Sequence, residues 1–148
     1  MMSLAIKQQI NKVLTNKENK MSKIWTISSK NFEYNDETYE ETGGGNVVVA
    51  YASQKAAEDK ADKLNLEFMR KGCFAEYYAE DVQFNDRVVK FLSDNNLGFT
   101  TDDQDDYYAC QKALETACTK LSDEKLLELL SLFNSRNYYY VESLELKD

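Results

Sequence analysis

The chain has 148 residues, 18 basic and 26 acidic side chains and no histidine, for a formal net charge of -8. A hydrophobic content of 43%, with 10 Tyr and 7 Phe, is enough to offset the entropy of ordering and excludes global disorder, and the length suits one domain with one continuous core. Without histidine, Ser-His and Cys-His catalysis, imidazole-held zinc or haem, and the usual near-neutral proton shuttle are excluded.

The charge is uneven. Residues 1–30 hold six Lys and one Glu, which leaves 12 basic and 25 acidic residues, a balance of -13, for the remainder. Such a body repels phosphate backbones, so no nucleic acid is expected. A basic protein is the partner it would suit, against the plainer reading of a charged, solvated surface. No apolar run nears the roughly 20 residues that span a bilayer, and the N-terminus lacks the apolar centre of a secretion signal. A soluble, cytoplasmic protein without membrane contact is therefore expected. Cys73, Cys110 and Cys118 are odd in number and have no Cys-x-x-Cys spacing, which argues against a disulfide framework or a thiolate zinc site. They read as reduced, buried apolar residues, and no metal or cofactor is expected.

Residues 3–14 (SLAIKQQINKVL) place Leu4, Ile6, Ile10, Val13 and Leu14 at helical spacing, which predicts a short amphipathic helix. The polar TNKENK (15–20) follows as a linker, so residues 1–20 read as an N-terminal helix and linker, and 21–148 as one domain. An organelle transit peptide is the minor alternative for this basic segment. From Lys23 short β-type runs appear: KIWTIS (23–28), ETYEET (37–42) and VVVAYA (47–52). FEYND separates the first two and GGGN (43–46) the last two, which predicts an antiparallel meander with a glycine turn. The glycines lack the following Lys-Ser/Thr of a phosphate loop.

Ser53 stands at an N-cap position before Ala57, Ala61, Leu64 and Phe68, with Gly72 past the end, and this predicts a helix. Residues 73–83 (CFAEYYAEDVQ) fit a short helix or an irregular stretch equally. Asn85 or Asp86 caps a helix carrying Val88, Val89, Phe91 and Leu92, which Asn95–Gly98 stops. Ser122 caps another through Leu126, Leu129, Leu130 and Phe133, and residues 137–146 (NYYYVESLEL) read as a final strand returning to the first sheet. The fold class is α+β, an antiparallel sheet of three to four strands (β-β-β-α … α-α-β) with helices mainly on one face. The strands leading into VVVAYASQKAAEDKADKLNLEFMRKG resemble small bacterial sheet-plus-helix domains, including the WGR domain associated with DNA-repair proteins. The resemblance implies a β-β-β-α unit and no activity, and the Trp-Gly-Arg signature is absent.

Three stretches join acids to tyrosines: FEYNDETYEE (32–41), EYYAED (76–81) and FTTDDQDDYYAC (99–110). In the third, the pattern lacks the Gly and the spacing of a calcium loop, whereas Thr101 and Gln104 fit a capping box ahead of a helix whose buried face runs through Tyr107, Cys110, Leu114, Ala117 and Leu121. Aromatic area beside carboxylate suits a basic partner. The leading expectation is thus a small acidic protein-interaction module, an inhibitor or immunity-type partner of a basic protein. Its candidate residues are Tyr34, Asp36, Glu37, Tyr39, Glu76, Tyr77, Asp102, Asp103 and Asp105, with no catalytic residue. The rivals are a small enzyme or ligand-binding domain with a carboxylate pocket near Tyr34, Asp36, Tyr77 or Tyr78, and a structural subunit docking through its N-terminal helix. Catalysis is the weaker reading, since a cysteine nucleophile would lack a His base and chance alone supplies carboxylate pairs among 26 acids.

Overall fold

A computed structural model describes residues 3–16, 23–34, 39–135 and 137–145. The order is α1 (Leu4–Asn16), β1 (Lys23–Tyr34), β2 (Tyr39–Tyr51), α2 (Gln54–Lys71), α3 (Phe74–Gln83), α4 (Asp86–Asp94), a 3₁₀ turn (Thr101–Asp103), α5 (Tyr107–Lys120), α6 (Asp123–Ser131) and β3 (Tyr139–Glu145). The fold is α+β, with an antiparallel sheet ordered β2-β1-β3. β3 returns to β1 as the sequence predicts, in a register that sets Ile24 opposite Leu144 and Ile27 opposite Val141.

The expected glycine turn does not form, and the second and third predicted strands run as one. The GGGN segment is not a hairpin turn: it lies within the span of β2, and among the described residues only Gly98 is a glycine with positive φ, at 71°. The physical reason at Gly45 is close approach. A Cβ there would collide with the Tyr140 hydroxyl and come within 2.6 Å of the Ser29 carbonyl oxygen, so the missing side chain lets neighbouring groups close over the strand. Of the linker expected at residues 15–20, Thr15 and Asn16 instead belong to α1, and 17–20 lie outside the described residues.

The chain divides into two compact units. The first comprises the described parts of Met1–Asn31, Thr42–Leu64 and Tyr138–Asp148; the second, Phe32–Glu41 and Asn65–Asn137. In the first unit, side chains three apart on a strand point to opposite faces, and β1 uses both. Ile24 packs with Ile6 and Ile10 of α1 and with Ala50, and Gln9 Nε2 donates to the Ala50 carbonyl at 3.0 Å. Ile27 packs with Ala57 and Ala61 of α2, flanked by Trp25, Val49, Tyr139 and Val141. The two alanines place the helix backbone near the sheet, which a bulkier residue would prevent. Ser53 Oγ accepts from the Ala56 amide at 3.3 Å and starts α2 where expected.

In the second unit the ambiguous residues 73–83 are settled as α3. Phe74, Tyr78 and Val82, one turn apart in sequence, are all fully buried. Phe74 stacks on Tyr78 at 4.8 Å, and both meet the Phe133 ring edge to face, at 5.8 and 5.2 Å. α3 packs on α5, whose buried face of Cys110, Ala113, Leu114, Ala117 and Cys118 is built largely of small residues. Short helices rarely hold alone, and here side chains close their ends. Asn85 Oδ1 accepts from the Val88 amide at 3.2 Å while its Nδ2 donates to the Leu132 carbonyl at 3.0 Å, and Ser122 Oγ accepts from the Lys125 amide at 3.2 Å. Asn96 and Gly98, at φ of 57° and 71°, end α4.

The close approach at Gly45 generates a stability test. Gly45→Ala should cost about 1–3 kcal/mol, the usual range for overpacking, read as a lowered urea midpoint with an unchanged slope. Adding Tyr140→Ala should recover only part of that loss, because the Ser29 carbonyl belongs to the backbone and cannot swing aside; full recovery would place the strain in the Tyr140 side chain alone.

Candidate functional site

Phe32 and Tyr34 alternate with Glu33 along the end of β1 and therefore share a face. Tyr39 opens β2, and Tyr77 lies three residues after Phe74 on α3, on the side of the helix adjoining the buried stripe. The structure brings these rings together. Tyr77 stacks on Phe32 at 4.5 Å with planes 12° apart, Tyr39 meets Tyr77 at 4.7 Å, and Tyr34 meets Tyr39 at 5.2 Å. Phe68 of α2 closes the back of the group, 6.0 Å from Tyr77 and 6.2 Å from Phe74. Exposure rises along this row from Tyr78 and Phe74, fully buried, through Tyr39 and Tyr77, half-buried, to Tyr34 at 60%.

The third acidic stretch reaches the same place through one residue. Tyr107, first in α5, donates its hydroxyl to the Glu76 carbonyl at 3.3 Å. Tyr39 feels this surrounding: burial first, then the negative charge of Glu76 and the neighbouring Cys73, Tyr34 and Tyr107, raise its hydroxyl above the ordinary tyrosine range. The ring stays neutral, with a hydroxyl that can both donate and accept.

Among the sequence-selected residues, Tyr34, Tyr39, Glu76 and Tyr77 thus converge. Asp36 and Glu37 lie outside the described residues. Asp102, Asp103 and Asp105 belong to a separate turn that differs in detail from the expected capping box. The box forms one residue earlier, at Thr100 rather than Thr101: the Asp103 carboxylate accepts from the Thr100 amide at 3.0 Å and from its hydroxyl at 3.3 Å. The α-helix starts only after it, capped by Asp106, whose Oδ1 accepts from the Tyr108 and Ala109 amides at 3.0 and 3.2 Å. Two caps replace one because Asp106, extended at φ -97° and ψ 107°, breaks the helical path between the 3₁₀ turn and α5. Gln104 secures the turn, its Nε2 donating to the Gln83 carbonyl at 3.1 Å and to Asp86 Oδ1 at 3.0 Å. Among the described residues no three Cys, Asp or Glu side chains are grouped to share a metal ion.

Tyr78, named for a carboxylate pocket, is a core residue with no exposure. A cavity of about 150 Å³ lies elsewhere in this unit, lined by Asp81, Phe84, Asn85, Asn134 and Ser135; it is below the usual size of small-molecule sites. Phe32, Phe68 and Tyr107 join the aromatic group although the sequence does not mark them as site residues: Phe32 reads as part of the FEYND connection, Phe68 as core periodicity of a helix and Tyr107 as the first residue of a buried helix face, and none of these says which tyrosine they meet.

The cysteines divide two ways. Cys110 and Cys118 are buried, as expected, but Cys73 is exposed, because it precedes α3 at the N-cap position and only Phe74 after it turns inward. Burial, reinforced by Asp106, Asp103 and Asp105, pushes the Cys110 thiol up to about 11. Burial pushes Cys118 up to about 12 against the opposing pull of Arg70.

No known protein family, characterised protein or solved structure matches the chain.

Two outcomes follow from this geometry. Asp106→Ala should cost about 1 kcal/mol as a lost N-cap, whereas Asp102→Ala, at an exposed position of the turn, should stay within about 0.5 kcal/mol; calcium should leave the melting temperature of both and of the wild type unchanged, a rise marking a metal site instead. In a thiol titration at pH 8, Cys73 alone should react in the folded protein and all three cysteines after denaturation, since raised thiol values keep Cys110 and Cys118 protonated well above that pH. Rapid reaction of two or more thiols in the native state would contradict their burial.

Proposed function

We propose that the protein is an interaction module that receives a basic protein partner on the tyrosine surface, in the manner of an inhibitor or immunity-type partner. One observation carries the reading: stretches remote in sequence, ending β1, opening β2, on α3 and at the start of α5, converge as Tyr34, Tyr39, Tyr77, Tyr107 and Glu76, with the outermost ring 60% exposed. Tyrosine is suited to such a surface because it offers large contact area for little side-chain entropy and carries a polar tip. The -13 balance of residues 31–148 supports steering of a cationic partner toward it, an effect that salt weakens.

Affinity capture from the native host tests the proposal. The wild type should recover a specific basic protein at low salt and lose it as salt is raised. Tyr34→Ala and Glu76→Gln should weaken that capture by roughly fivefold or more, the loss expected when a central aromatic or charged contact is removed. Capture unchanged in both variants, or insensitive to salt, would overturn the assignment of this surface.

A further inference from the structure

We infer that the chemical group this surface recognises is the guanidinium of an arginine on the basic protein partner, an inference that rests on the interaction reading above. Three kinds of cation could use tyrosine rings, and the ring geometry separates them. A quaternary ammonium, as in methylated lysine, needs a cage whose walls stand apart so that the ion lies between several faces. Here successive rings are in contact, with centroids 5.2 Å apart for Tyr34 and Tyr39, 4.7 Å for Tyr39 and Tyr77, and 4.5 Å for Tyr77 and Phe32. That spacing is filled by the rings themselves and leaves no room for a bulky ion between them.

A plain ammonium could approach an outer ring, but it is compact and strongly hydrated, and gains little from a flat surface. A guanidinium is planar, weakly hydrated and able to lie on a single ring face while directing its N–H groups sideways. Tyr34 provides the open ring, at 60% exposure, and is backed by Tyr39. A carboxylate adjoins the row: half-buried Glu76 directly precedes Tyr77 on α3, and its charge, after burial, raises the neighbouring Tyr39 hydroxyl and keeps it neutral. Arginine donates five N–H groups and accepts none, so a rim of carboxylate and phenol oxygens complements it.

The test uses three synthetic peptides of one length and spacing, carrying arginine, lysine or trimethyllysine between serines, titrated into the isotopically labelled full chain. The expected result is a set of amide shifts centred on Tyr34, Tyr39, Glu76 and Tyr77, with arginine bound about three- to tenfold more tightly than lysine. Tyr34→Phe should keep that preference, and Tyr34→Leu, which preserves apolar bulk without a ring, should remove it; Glu76→Gln should weaken the arginine and lysine peptides alike. Equal binding of arginine and lysine at these residues, or tighter binding of trimethyllysine, would overturn the guanidinium inference and leave the interaction surface standing. Shifts that avoid these residues with every peptide would overturn both.

Discussion

A continuous row of aromatic contacts ties the interior of the second unit to its surface. It begins at Phe133, passes through the stacked Phe74 and Tyr78 to Phe68 and Phe32, and emerges through Tyr77 and Tyr39 at Tyr34. Each such pair contributes about 0.5–1.5 kcal/mol beyond the area it buries, but the row has a further effect. Rings packed at 4.5–6.2 Å restrict one another's rotamers, a restriction that reaches the exposed Tyr34 through its contact with Tyr39. A surface tyrosine ordinarily loses rotamer freedom on binding; one already held by its neighbours loses less, which favours recognition by pre-organisation.

That row depends on α3 being a helix of fixed position, and α3 has weak credentials of its own. It has ten residues and no side-chain bond at its N-cap. Its stability must come from packing, on α5 and through Phe74, Tyr78 and Val82. α5 in turn is secured at both ends. Asp106 closes its N-terminus, and Arg70 of α2 closes its C-terminus by donating to the Cys118 and Leu121 carbonyls, each at 2.8 Å. The same guanidinium pairs with Asp123 in the first turn of α6 at 2.7 Å. One cation therefore meets the negative end of one helix and a carboxylate placed at the positive end of the next, and the order of the tyrosine surface rests on these ends.

What the sequence made readable follows the range of the interactions involved. The caps at Ser53, Asn85 and Ser122, the stop at Asn95–Gly98 and the middle of the buried face of α5, Cys110, Leu114 and Ala117, are local, and residue type with spacing identifies them before any tertiary contact is known; the ends of that face, Tyr107 and Leu121, are only half-buried. The final strand was readable because a strand must find a partner for its backbone groups. The glycines at 43–45 mislead for the opposite reason. Glycine serves turns and close approaches alike, and at Gly45 only the arrival of Tyr140 and the Ser29 carbonyl, distant in the chain, decides which. Likewise each acidic-aromatic stretch was visible, but their meeting was not, since it is made by stacking across β1, β2 and α3.

The distinction also changes how the acidity of the chain should be weighed. The aspartates of FTTDDQDDYYAC form its densest acidic run, yet Asp103 and Asp106 use their carboxylates to accept backbone amides. Charge engaged in this way stabilises a turn and a helix end, and adds to the burial that chiefly keeps the neighbouring Cys110 thiol protonated. Glu76 is placed differently, because Tyr107 holds its backbone carbonyl and leaves the side chain to act on Tyr39. A single half-buried carboxylate beside ordered rings confronts a cation with lower local dielectric than several solvated ones, and its attraction is correspondingly less screened. On the interaction proposed above, position rather than the number of acids would therefore decide where a partner's positive charge is held.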